Sequence, residues 1–308
     1  MDLNKKTYRS NGKLLLTGEY VVLDGARALA LPTTYGQSLI VQPKNSNTIN
    51  WKSYNELNDV WYKDEFLLED NEILKQGQNG NAVSNRLIEI LIAAKTLNPH
   101  FLNEKEGFDI ATHQDFNRLW GLGTSSTLIN NIADWAKVDA YKLLNKTFGG
   151  SGYDIACAKH NTAITFRLKN NREPLVNSVK FNPSFKNQLY FVYLNQKQNS
   201  RDGIASYKKL SKLNNSIIEE INNITDAIIK TETLSGFNAL IDSHEAIISK
   251  LIQQDTVKSK FFKDFKGSVK SLGAWGGDFV LVTSEAEPSS YFKSKGFDTV
   301  IPYSNMVL

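Results

Sequence analysis

The stretch GLGTSST, residues 121–127, lies between a strand-like run, GFDIATH (107–113), and a helical one. Leu128, Ile129, Ile132, Ala133, Ala136, Ala140, Leu143 and Leu144 follow it at three- and four-residue spacing, which predicts a helix with one buried face. A glycine loop therefore feeds a helix N-terminus, where unpaired N–H groups and about half a positive charge favour an anion. Gly121 and Gly123 permit close backbone approach. Thr124, Ser125, Ser126 and Thr127 offer hydroxyls that can cap the helix, bond phosphate oxygens or reach a magnesium ion. The same residues also read as an ordinary Ser/Thr cap on a structural helix. No GxxxxGK[ST] occurs, because Gly12-Lys13 is followed by leucine, and Ser126 stands where the dinucleotide fingerprint needs its last glycine.

Outward from this loop the chain alternates strands and helices. Upstream, KLLLT (13–17), YVVL (20–23), SLIVQ (38–42), TINW (48–51) and VWY (60–62) predict short strands. Asp24-Gly25 and PKNSN (43–47) supply turn chemistry between them. Val83, Leu87, Ile90, Leu91, Ala94 and Leu97 predict a helix over 82–97. Downstream come AITFRL (163–168), LYFVYL (189–194), a polar-faced helical region at 203–253, VKSLGAWGGDFVLVT (269–283) and a last short strand near Thr299–Pro302. The class is α/β. The 308 residues suit two domains, and the charged, Pro-containing KNNREP (169–174) interrupts the pattern. We therefore expect domains at 1–165 and 166–308.

Composition narrows the function classes. With 41% hydrophobic and 22% charged residues, disorder and coiled coil are poor readings. Lys plus Arg number 36 against 32 Asp plus Glu, and a net +4 on so large a surface does not argue for nucleic acid. The single cysteine, Cys157, forms no internal disulfide. No signal-peptide core and no apolar run long enough to cross a membrane are present, so a cytoplasmic protein is the expectation. His244-Glu245 lacks the second histidine of a zinc HExxH, and Cys157 with His160 reads as packing and surface rather than a nucleophilic pair. Trp51, Tyr54, Trp61 and Tyr62 interleave with Lys52 and Lys63; core packing or a hairpin covering an adenine fits better than single-strand nucleic-acid stacking.

Two more segments carry chemistry. SNGKLLLTGEYVVLDG (10–25) sets Lys13 at a strand start and Glu19 between Gly18 and Gly25. GGSGYDIACA (149–158) puts Asp154 after three glycines and before an apolar run. Such an aspartate can accept a substrate hydroxyl's proton, and a nearby lysine keeps it ionised and stabilises charge on a transferred phosphoryl group. Lys13 also reads as a solvated strand edge, and Asp154 as a helix cap.

Together these segments resemble the GHMP kinases, in the mevalonate-pathway branch that holds mevalonate kinase and phosphomevalonate kinase. The likeness runs over nearly the whole chain through NGKLLLTGEYVVLDGARALALPT (11–33), GLGTSST (121–127) and KSLGAWGGDFVLV (270–282). It implies an N-terminal ribosomal-protein-S5-like domain, a C-terminal ferredoxin-like domain, and ATP-dependent phosphoryl transfer to a small metabolite, with ATP and Mg2+ as cofactors. By resemblance Asp154 is the catalytic base and Lys13 the electrostatic stabiliser. Gly121, Leu122, Gly123, Thr124, Ser125 and Ser126 would cradle the ATP phosphates, Ser125 also binding the metal. Glu19, Tyr20, Gly276 and Gly277 would approach the substrate. GEY (18–20) and GGD (276–278) resemble phosphomevalonate kinases more than mevalonate kinases.

Three departures from the family pattern stand out. Trp275 replaces a glycine of the third motif, where an indole is expected to crowd the loop. Asn117-Arg118-Leu119-Trp120 stands where a proline usually precedes the second motif. Leu143 occupies the position of a magnesium-binding glutamate, and Asp139 is the nearest upstream carboxylate. A metabolite or ATP sensor without turnover, or a kinase for another hydroxylated acid or sugar, is the alternative.

Overall fold

The computed structural model describes residues 5–70, 72–75, 81–103, 106–198, 200–209 and 214–308. The chain forms two compact units that interleave along the sequence: 1–12, 35–118 and 123–159 in the first, and 13–34, 119–122 and 160–308 in the second.

Two long strands belong partly to each unit, β1 (Lys6–Thr17) pairing with β2 (Ala28–Lys44). In the first unit the sheet order is β5-β4-β3-β6-β2, from β3 (Thr48–Tyr54), β4 (Val60–Glu69), β5 (Glu72–Lys75) and β6 (Gly107–Gln114). β3 and β6 run parallel, and β6 pairs antiparallel with the Gln37–Lys44 half of β2. The helices α1 (Ala82–Leu97), α2 (Thr124–Ala136), α3 (Ala140–Thr147) and α4 (Tyr153–Lys159) bring their apolar faces to this unit's core. Trp51 and Tyr62 lie in that core and Trp61 packs against it, whereas Tyr54 stacks on His113.

In the second unit Ala28–Ala30 of β2 pairs with β7 (Ile164–Leu168), and β7 with β8 (Pro174–Ser178). The charged stretch at 169–173 is the turn of this hairpin, closed by Lys169 N–H donating to the Glu173 carbonyl at 2.9 Å. A second, antiparallel sheet has the order β10-β11-β9-β12, from β9 (Leu189–Tyr193), β10 (Val269–Ser271), β11 (Phe279–Thr283) and β12 (Val300–Pro302). The helical region contains α5 (Ser200–Lys208), α6 (Asn215–Lys230) and α7 (Leu234–Ile252); its residues 210–213 lie outside the described residues.

Two expectations need correction. YVVL does not extend as a strand: Val21–Asp24 is a 3-10 turn, because Gly18, Tyr20 and Gly25 all take positive φ and fold the chain back on itself. The helix after GLGTSST is two helices. Lys137 takes φ 54, and Asp139 starts α3 afresh by accepting from the Lys142 N–H at 2.9 Å. Among the described residues no helix is long and apolar enough to cross a membrane.

Candidate functional site

In the first unit, α2 starts on Gly123, which takes φ 96, and no side chain caps it. The four hydroxyls of TSST are used unequally. Ser126 Oγ donates back to the Gly123 carbonyl at 2.9 Å, Thr127 Oγ1 donates to the buried Gln37 at 2.9 Å, and Thr124 Oγ1 accepts from Gln114 at 3.0 Å. Ser125 is exposed and its hydroxyl makes no hydrogen bond among the described residues. The cap that GLGTSST could have supplied is therefore not made, and the first-turn N–H groups keep their affinity for an anion.

Asp154 sits in the first turn of α4, beyond Gly150 and Gly152, both at positive φ. A β-carbon at Gly152 would press on the Tyr141 ring, so the chain can enter α4 here only through glycine. Asp154 Oδ1 accepts from the Ile155 N–H at 3.0 Å.

In the second unit, Lys13 is fixed to the other end of the glycine loop. Its backbone N–H donates to the Leu122 carbonyl at 2.9 Å, and its Nζ to the Gly121 carbonyl at 2.7 Å. The strand-edge reading of Lys13 gives way to a lysine held on the loop. Gly121 takes φ 68, and a β-carbon there would overlap the Asp278 carboxylate. Gly277 packs against the Gln196 carbonyl and the Gln198 side chain, and Gly276 against Gln198.

Glu19 does not have the substrate-facing position expected of it. Its side chain is wholly buried and ion-paired with Lys270, itself wholly buried. Lys270 Nζ also donates to the Ser271 carbonyl at 2.6 Å and lies 3.3 Å from Glu245, which accepts from the Ser271 hydroxyl at 2.6 Å. His244 completes the group, its Nε2 accepting from the Gly18 N–H at 2.9 Å. Spacing along the sequence gives no sign of this cluster. His244-Glu245 sits in a polar-faced helical region, where nothing in the sequence separates it from its exposed polar neighbours.

Burial works against the Lys270 ammonium, but Glu19 and Glu245 outweigh it and keep its pKa above the usual lysine range. For Glu19, burial outweighs Lys270 and raises the pKa from 4.5 to about 7. Geometry agrees: Glu19 Oε2 lies 3.4 Å from the Nε2 that already accepts from Gly18, and a proton on the carboxyl relieves two acceptors facing each other. The native state thus keeps a proton that the unfolded chain releases above about pH 4.5. Its contribution is fully present below that pH and lost as pH rises through about 7, on the order of 3 kcal/mol. Urea midpoints at pH 5 and pH 8 should therefore fall more for the wild type than for Glu19→Gln, which mimics the protonated form. Equal falls would show that Glu19 does not hold the proton.

Tyr20 is also buried, and its hydroxyl accepts from the Trp275 backbone N–H at 3.1 Å. Trp275 itself is 5% exposed. Its indole packs with Tyr20, Val21, Ala26, Tyr207, Ile221 and Ile248, so it does not crowd the glycine loop as expected but anchors that loop in the core.

The chain's own residues offer magnesium little. Among the described residues there is no group of three or more His, Cys, Asp or Glu that could hold a metal. Leu143 is fully buried, and Asp139 is used as the α3 cap. Magnesium that arrives on nucleotide phosphates keeps several waters and needs few protein ligands, and the unused hydroxyl of Ser125 fits that requirement.

No protein-family model matches the sequence, and no curated protein matches it. The fold is that of the GHMP kinases. The mevalonate kinase of Methanococcus jannaschii superposes with a TM-score of 0.68 at 15% identity, covering 97% of this chain and 98% of that one. Streptococcus pneumoniae phosphomevalonate kinase, in complex with phosphomevalonate and AMPPNP, gives 0.66 at 15% identity, over 94% and 95%. Lactococcus lactis galactokinase complexed with galactose gives 0.63 at 14% identity, over 96% and 89%. At such identities the likeness establishes the fold.

Proposed function

We propose that this chain is an ATP-dependent kinase that transfers the γ-phosphoryl group to a small metabolite, with mevalonate or phosphomevalonate as the favoured acceptors. The observation that carries the reading is the N-terminus of α2: it begins on Gly123, has no side-chain cap, and presents the one unspent hydroxyl, Ser125. In this reading the loop N–H groups from Gly121 to Ser126 bind the nucleotide's phosphates. Magnesium, when bound, neutralises charge on the β- and γ-phosphates. Ser125 Oγ is the residue to hold it. Asp154 accepts the proton of the acceptor hydroxyl as the new O–P bond forms and ADP leaves. Lys13 stabilises the negative charge that develops on the phosphoryl oxygens. The similar folds of a mevalonate kinase, a phosphomevalonate kinase and a galactokinase support the reaction class but divide over the acceptor.

The test is a coupled ADP-release assay over mevalonate, phosphomevalonate, homoserine and sugars, with ATP affinity measured alongside. Acceptor-dependent ADP release supports the kinase. Tight ATP binding without turnover of any acceptor would make the protein a sensor of the same fold.

A further inference from the structure

Asp278, which immediately precedes β11, has a geometry that the motif resemblance leaves unused. It takes φ 52, a left-handed conformation that few residues other than glycine adopt. Three hydrogen bonds hold it there. Its N–H donates to the Gln196 carbonyl at 2.7 Å, its carbonyl accepts from the Leu194 N–H at 2.8 Å, and its Oδ1 accepts from the Gln198 N–H at 3.1 Å. The outcome is a carboxylate laid against the α-carbon of Gly121, in space that exists only because Gly121 has no side chain. Its other oxygen, Oδ2, has no hydrogen-bond partner among the described residues.

The charged and titratable groups around it are Lys13, Lys197 and Tyr193. Burial raises its pKa, and Lys13 partly offsets this. Lys13 is held on the same loop through the Gly121 carbonyl. An ammonium and a carboxylate with one oxygen lacking a hydrogen bond among the described residues thus flank a single glycine. A hydroxyl suits such a pair because it donates one hydrogen bond and accepts others, whereas a phosphate dianion only accepts.

Resting on the kinase reading above, we propose that Asp278 is an acceptor-binding residue whose Oδ2 takes a hydrogen bond, beside Lys13, from a substrate hydroxyl other than the group that is phosphorylated and gives its proton to Asp154. The pairing fixes the acceptor's orientation beside the lysine and leaves its reacting group free to give its proton to Asp154.

Asp278→Asn tests this with little disturbance, because asparagine tolerates left-handed backbone and keeps an oxygen for the Gln198 N–H. Its NH2 group replaces the accepting Oδ2 with a donor. In the ADP-release assay with mevalonate, phosphomevalonate, galactose and homoserine, the wild type should use an acceptor that carries a hydroxyl besides the group phosphorylated. The variant should lose roughly 10–100-fold in kcat/KM for it. The KM for ATP and the Tm should stay near wild type. Gly121→Ala, which displaces the carboxylate, should impair the acceptor step too, and the double variant should be little worse than Gly121→Ala alone. Wild-type kcat/KM in Asp278→Asn, a parallel loss in ATP affinity and Tm, or turnover of homoserine alone, whose single hydroxyl is the one phosphorylated, would each overturn the proposal and leave the kinase reading intact. Absence of turnover with every acceptor would overturn the kinase reading and the proposal with it.

Discussion

Asp154→Asn should lower phosphoryl transfer by about 100-fold or more and leave nucleotide affinity nearly unchanged. The substitution preserves size and the Oδ1 that accepts from the Ile155 N–H, so the first turn of α4 should keep its geometry. What is lost is the ability to take a proton from the acceptor. The carboxylate's charge is already felt locally: burial pushes the Tyr141 hydroxyl up to about 12, with Asp139 and then Asp154 adding to the effect. A removed charge should therefore also make Tyr141 more acidic, which gives a spectroscopic check that the substituted residue sits where the structure has it. Single-turnover rates and ATP titrations of the purified variant separate the two effects. Unchanged turnover would refute Asp154 as the base. Equal losses in rate and ATP affinity would assign it to holding the phosphate loop instead.

The parts of this molecule that could be read from sequence were those set by local pattern. The helix over 82–97 is found at those bounds because its apolar spacing is regular and Asn81 caps it, accepting from the Val83 N–H at 2.9 Å. The strands KLLLT, SLIVQ and TINW are found too, although as parts of longer elements. YVVL misled because four apolar residues look alike in a buried strand and a buried turn. Only the positive φ at Gly18, Tyr20 and Gly25 decides, and that is a property of the folded chain. At the site, GLGTSST gave the loop and the helix start but not which hydroxyl stays unspent, since Gln114 and Gln37 reach it from distant strands. Trp275 looked like an obstruction because a glycine motif suggests an open loop. Its surroundings come from residues some 250 positions away, Tyr20 and Val21, and from α6 and α7. The Glu19–Lys270 pair, separated by 251 residues, was equally out of reach.

Lys270→Met should destabilise the protein by about 3–5 kcal/mol, the range for breaking a buried ion pair from one side. Methionine fills much of the lysine's volume, so little of the loss comes from a cavity. The loss comes from Glu19 and Glu245, which stay buried without their cation. Glu245 keeps the Ser271 N–H and hydroxyl, whereas Glu19 Oε2 has no hydrogen-bond partner even in the native chain. Glu19 should respond by holding its proton more tightly. The penalty should then be smaller at pH 5, where the carboxyl is already neutral, than at pH 8, where protonation must be forced. His244 cannot replace the lysine, because burial, the larger cause of its lowered pKa, persists when Lys270 is gone, and its Nε2 is occupied by Gly18. Combining Lys270→Met with Glu19→Gln removes one stranded charge and should recover a large part of the loss, a coupling that two independent sites would not show. Urea unfolding of the four proteins at both pH values measures it. Additive losses, or a single-variant loss under about 1 kcal/mol, would mean that the cluster fills space without holding the Gly18–Tyr20 turn to β10. The expected coupling would instead explain why a glutamate that never meets solvent is followed directly by Tyr20, whose hydroxyl anchors the third glycine loop through Trp275.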